Sequence, residues 1–253
     1  MFDRSILKSN AKNVLSQNYW NMFLAGFIVY IVSAFIELMG SGDKISEILS
    51  AMILGSEDDS IILLFLSIIA VLSTIGAIIY IVGSLFVITP LSVGWNKYHL
   101  ECRKGYYKLS SLFSAFTNGN FFNIVKNIFV TNLIIFLWSL LIFPGIYFSY
   151  AYYLVPYICA ENPGISASEA RRISKLMTDG YKFDIWILEL SFIGWELLAA
   201  ITLVGGFFLI PYKQATYAEL YIKLRDEAIA KGKISPEEVG VEVVILDSEE
   251  SVF

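Results

Sequence analysis

The chain has 253 residues, 57% of them hydrophobic and only 16% charged, with a mean hydropathy of +0.65. A soluble domain is usually nearer a quarter charged, so this composition leaves too little polar surface to coat a soluble globule of this size. The net charge of −5 is sorted by position: residues 235–253 hold six acids and no base, residues 40–60 hold five acids against Lys44, and the remainder carries 17 bases and 12 acids.

A bilayer core about 30 Å thick takes roughly 20 apolar helical residues. In chain order, the runs that meet or approach this are 20–39, 61–90, 121–143, 146–160, 183–201 and 206–224. The first follows a polar stretch and lacks a small-x-small site after it, which argues against a signal peptide. The second is long enough to tilt or to extend past the membrane. Pro144-Gly145 is expected to break the third from the fourth, and Thr202 to Gly206 to turn the fifth into the sixth. The predicted fold is all-α: a polytopic bundle of six transmembrane helices in residues 1–225, followed by an acidic, mobile cytoplasmic tail over 226–253.

Lysine and arginine concentrate in cytoplasmic loops. With both ends in the cytoplasm, six spans leave only Lys44 outside and place the other 17 bases inside; five spans would put five C-terminal bases outside. Each inner segment before a helix pair also reads as a short amphipathic helix, with Leu7, Ala11, Val14 and Leu15 in the first, Leu109, Leu112, Phe113 and Phe116 in the second, and Ala170, Ile173 and Met177 in the third. Ser166 to Glu169 has the spacing of a capping box for the third. Prolines recur in the returning helices at Pro90, Pro156 and Pro211, and Trp138-Ser-Leu-Leu is echoed by Trp195-Glu-Leu-Leu. The expected plan is three parallel repeats of amphipathic helix plus hairpin. The alternative is that aromatics and prolines recur in any membrane protein.

The segments Asn18-Tyr19-Trp20, Leu137 to Leu141 with Pro144-Gly145-Ile146, Tyr157 with Glu161-Asn162-Pro163, Leu190 to Trp195, and Pro211-Tyr212 followed by Tyr221 resemble a family of bacterial integral membrane proteins, domain of unknown function 975. The likeness covers roughly residues 1–225. It implies a location in the bacterial cytoplasmic (cell) membrane and no established activity, and it carries no functional residues over. A more distant likeness is to the membrane domain accompanying some bacterial glycerophosphodiester phosphodiesterases, whose catalytic domain has no counterpart in this sequence.

Glu189 and Glu196 read as the only carboxylates well inside a span, and at seven residues apart they share a helix face. An ionisable residue at membrane depth is a functional-site hypothesis by default, here a proton, cation or ligand site. The alternative is headgroup depth or a bond to a neighbouring helix. Asn127, Thr131 and Asn132 read as helix-packing groups. Tyr147, Tyr150, Tyr152, Tyr153 and Tyr157 fit either a polar cavity or a headgroup belt. Arg171, Arg172 and Lys175 suit contact with anionic lipid or an ordinary connector. His99 reads as solvated or interfacial, and Cys102 and Cys159 as free thiols.

No P-loop, HExxH, GxSxG or paired CxxC motif occurs. Neither an enzymatic activity nor a cofactor or metal is expected. The bases flank spans instead of forming one basic face, so nucleic acid is not an expected partner. Two expectations remain: a small transporter or lipid-handling protein with a lipid or small-molecule ligand, and a membrane scaffold whose acidic tail docks a protein partner.

Overall fold

The computed structural model describes residues 2–41, 43–54, 58–202 and 205–241. Within them the chain is all-helical, with no strand. Helix α1, Arg4–Ser41, is two helices joined at Asn18, whose backbone leaves the helical region (φ −158°, ψ 58°). The kink separates an amphipathic arm (residues 4–17), with Leu7, Ala11 and Val14 buried, from an apolar rod. A helix within the expected outer loop, α2 (Asp43–Leu54), leads to α3 (Asp59–Gly83), capped by the Asp58 side chain accepting from the Ser60 N–H.

The second apolar run does extend beyond its expected end. Helix α3 passes through a π-turn at Ser84–Ile88 into α4 (Thr89–Arg103). Pro90 has no N–H to give the preceding turn, and a widened π-turn just before it accommodates that loss.

The second amphipathic segment is not the regular helix expected. It is a 3-10 turn, Leu109–Phe113, running into the single-turn α5 (Ser114–Thr117), so Leu112 and Ala115 are buried while Phe113 and Phe116 remain exposed. Helix α6 (Phe121–Ser139) then ends earlier than its proline suggested. Leu141 is extended (φ −110°, ψ 109°), and α7 (Ile142–Ala151) begins before Pro144. Proline is tolerated in a first helical turn, so the break falls ahead of it, at 140–141. Gly145 is what the hairpin needs: a Cβ there would lie 2.6 Å from the Ser139 Cα.

After α8 (Val155–Glu161), α9 (Ala167–Met177) is capped by Ser166, whose Oγ accepts from the Glu169 N–H. Half of the expected capping box forms; the Glu169 carboxylate binds Arg172 instead of returning to the cap. Helices α10 (Lys182–Ile201) and α11 (Gly205–Ala230) flank Leu203 and Val204, part of the expected turn, which lie outside the described residues.

The expected tail does not start at 226. Helix α11 runs on to Ala230, and the strap that follows (residues 231–241) buries Ile234 and Val239 in the main core. Residues 242–253 lie outside the described residues.

Among the described residues, three helical stretches are long and apolar enough to cross a membrane: Arg4–Gly40, Asp59–Arg103 and Phe121–Ser139. Helix α10, with 20 residues, is as long as the third of these but carries Lys182, Asp184, Glu189 and Glu196. Helix α7, with ten residues, is only about 15 Å long. The surface is sorted. Large exposed apolar side chains run along the hairpins, from Leu24 to Met39, Ile61 to Val87, Phe129 to Tyr147 and Phe183 to Ile201. Only 6% of the apolar stretch in Asp59–Arg103 is buried, so that helix has little protein around it. The core lies at the opposite end, where α4, α8, α9 and the lower parts of α6, α10 and α11 meet.

Candidate functional site

The two carboxylates singled out from sequence sit on α10 but turn to different neighbours. Glu189 accepts from the Tyr150 hydroxyl of α7 at 2.7 Å. Glu196, half-exposed, pairs with Lys213 of α11. An aromatic run joins them: Tyr150 stacks on Tyr153, Tyr153 meets the Tyr217 ring edge-on at 5.9 Å, and the Lys213 ammonium lies 5.8 Å from that ring. Neither carboxylate is isolated, and a charge with a partner is the affordable form at membrane depth.

The tyrosines divide between the two readings. Tyr150, Tyr153 and Tyr157 face α10 and α11, with Tyr157 stacked on Tyr221 at 5.3 Å. Tyr147 is exposed, under the Lys182 ammonium. Asn127 is fully buried, and its amide donates to the Ile165 carbonyl at 2.8 Å. With Asn123, which reaches the Pro163 and Ile165 carbonyls, it ties α6 to the loop before α9.

The basic residues of α9 do not form an open face. Arg172 is bound by Glu169 and by Glu238 of the strap. The hydrogen bonds from Arg172 hold the Glu169 carboxyl below its usual range. Arg171 is partly buried, and Lys175 alone of the three is exposed without an ion pair among the described residues.

A roomy concavity lies elsewhere. A cleft of about 850 Å³ opens between the N-terminal arm, α10 and α11. The arm supplies a polar wall of Ser5, Lys8, Ser9 and Lys12; the other walls are Trp195, Leu198, Leu209 and their neighbours. Lys8 donates to the Ser191 carbonyl at 3.4 Å and lies 4.4 Å above the Phe192 ring. A smaller cleft of about 480 Å³ lies beside the Glu196–Lys213 pair.

The sequence matches the family model described as Protein of unknown function (DUF975) over residues 1–228. The chain belongs to this family. No curated protein and no solved structure matches it. The DUF975 match takes in all of α1 to α10 and α11 nearly to its end, and it leaves out the strap.

Two further carboxylates of this DUF975 chain escaped the sequence reading. Glu219 lies within the expected span 206–224, so Glu189 and Glu196 are not the only acids there. It is 4% exposed, paired with Arg103 of α4 and bonded by the Asn10 amide of the arm at 3.1 Å. Glu161 at the end of α8 accepts from the Tyr221 hydroxyl at 2.7 Å and pairs with Arg225. A carboxylate flanked by Ala218 and Leu220 in a helix this apolar was the available signal. His99 also departs from expectation: it is buried in α4, its Nδ1 3.1 Å from the Trp95 carbonyl. Cys102 and Cys159 are free and buried.

Proposed function

We propose that this DUF975 member is a multi-pass protein of the bacterial cell membrane that handles an amphiphilic ligand, a lipid or small molecule, in the cleft between the arm, α10 and α11. Three hairpins enter from the cytoplasmic side, with the short or charged helices α7, α10 and the start of α11 completing six spans. Such interrupted spans are tolerated where neighbouring helices cover their backbone groups. The observation that carries the reading is the cleft itself: a polar, basic wall faces apolar walls that belong to an exposed hairpin. The 17 bases on the inner side of this arrangement support the orientation.

Orientation is tested with single cysteines and a membrane-impermeant maleimide, since the native thiols are buried. Ser60→Cys is expected to label in intact cells and Ser168→Cys only after permeabilisation; the reverse pattern refutes the topology. Ligand handling is tested by native mass spectrometry of the wild type. A stoichiometric lipid or small molecule on the wild type supports it, and ligand-free protein counts against it.

A scaffold role is the second reading. Val239 and Glu238 fix the strap to the body, so the acidic sequence after Val241 starts from a fixed point suited to holding a protein partner.

A further inference from the structure

We propose that the cleft holds one anionic phospholipid, its headgroup on Lys8 and Lys12 and an acyl chain against Trp195, Leu198 and Leu209. This rests on the reading of that cleft as the ligand site and names the ligand.

The polar wall is electrically one-sided. Arg4, Lys8 and Lys12 recur every four residues and so share one face of the arm. None of them has an ion pair among the described residues, and no carboxylate lines the cleft there. Arg172, Lys213, Arg225 and Lys231 have carboxylate partners, whereas Lys97, Lys104, Lys175 and Lys223 have none among the described residues, so what sets Lys8 and Lys12 apart is that they stand together on the polar wall of one cleft that no carboxylate lines. The two cleft lysines rest instead on aromatic rings, Lys8 on Phe192 and Lys12 5.9 Å from Tyr212. A ring face attracts the ammonium without neutralising its charge. Each ammonium has three donors, of which Lys8 directs one to Ser191. A monoanionic headgroup supplies the missing counter-charge.

The apolar side sets the rest of the ligand. Trp195 and Leu198 are each 58% exposed. From Ser191, beside Lys8, to Thr202 at the hairpin's end, α10 rises about 16 Å, roughly half the thickness of a bilayer's hydrocarbon core. A soluble phosphate ester matches the lysines and leaves these walls bare. A zwitterionic phospholipid matches the walls but brings its own cation toward two lysines. An anionic phospholipid matches both.

Trp195 provides the readout. Full-length protein in detergent micelles is titrated with brominated phosphatidylglycerol or brominated phosphatidylcholine, and the difference in quenching between wild type and Trp195→Phe isolates this tryptophan. The anionic lipid is expected to quench Trp195 at a mole fraction lower by roughly thirtyfold, since two basic groups act on it. Lys12→Gln, an exposed position with no hydrogen bond among the described residues, should weaken that preference. Lys8→Gln/Lys12→Gln should abolish it, and Lys8→Arg/Lys12→Arg should keep it. Inorganic phosphate at millimolar concentration should not displace the lipid; displacement would assign the site to a soluble anion and overturn the proposal. Equal quenching by both lipids, unchanged by the lysine variants, also overturns it while leaving the cleft a lipid site. Quenching of Trp195 by neither lipid, with nothing bound in native mass spectra, refutes the ligand-handling reading as well.

Discussion

Glu219 and Arg103 pair across α11 and α4, with the carboxylate almost wholly buried and the guanidinium reaching it from the rim. The Asn10 amide occupies the other carboxylate oxygen, so one side chain fastens three elements. Removing one member of a buried pair leaves an uncompensated group and costs roughly 3–5 kcal/mol, less here because Arg103 is half-exposed. Arg103→Leu should therefore lower the melting temperature in detergent, and Arg103→Leu/Glu219→Leu should recover part of the loss. A double variant as unstable as the sum of the singles would show that the two do not act as a pair.

The Glu196–Lys213 pair lies on the exposed hairpin instead of in the core. Water screening makes such pairs weak on soluble proteins. In the proposed topology this hairpin lies in lipid, which does not screen, so a lone charge there is costly. Lys213→Leu alone should destabilise the protein more than Lys213→Leu/Glu196→Leu, measured by thermal unfolding. Equal losses would place the pair in contact with water.

Gly94 packs against the 3-10 turn so closely that a Cβ would lie 1.9 Å from the Leu112 carbonyl oxygen. The obstacle is backbone and cannot rotate away. Gly94→Ala should cost about 1–3 kcal/mol by overpacking, and Gly194→Ala, where a Cβ meets nothing within 4 Å, should be close to neutral. Comparable losses at both sites would refute the close approach.

Glu227 accepts from Lys231 and from the Tyr181 hydroxyl, and these bonds lower its pKa below the usual carboxylate value. A lowered folded-state pKa contributes stability that is present above the unfolded value, near 4.3, and is lost as pH falls through the folded value. Stability should thus decline below about pH 4.3, and Glu227→Gln should flatten part of that decline while lowering stability at neutral pH. An unchanged acid limb in Glu227→Gln would show that other carboxylates carry it.

The extent of helix α9 was legible from sequence, because its apolar residues keep helical spacing and Ser166 supplies a cap, while the Glu169 half of the capping box was not borne out. The α6–α7 break was misplaced because proline both ends helices and begins them, and only the extended Leu141 shows which happened here. The role of Glu219 was not readable, since its partners lie 116 and 209 residues earlier in the chain. The cleft was equally hidden. Lys8 and Lys12 looked like ordinary inner-loop bases, and only the kink at Asn18 lays them alongside Trp195. The strap reads as tail because its composition is polar, whereas Ile234 and Val239 bury in the core and Glu238 binds Arg172.

The pairing of α1 with α11 has a consequence for biosynthesis. The apolar stripe of the arm, Leu7, Ala11 and Val14, is covered in part by residues about 200 positions later, and Asn10 waits for Glu219. At about 5–20 residues per second, a ribosome takes on the order of 10–40 s to cover that distance. Until α4 and then α11 are made, the arm has a greasy face still to be covered and, in the proposed topology, a row of bases beside the inner leaflet. In that topology the nascent chain has reason to rest its first helix on the membrane surface, and to finish docking it on the body only when the eleventh arrives.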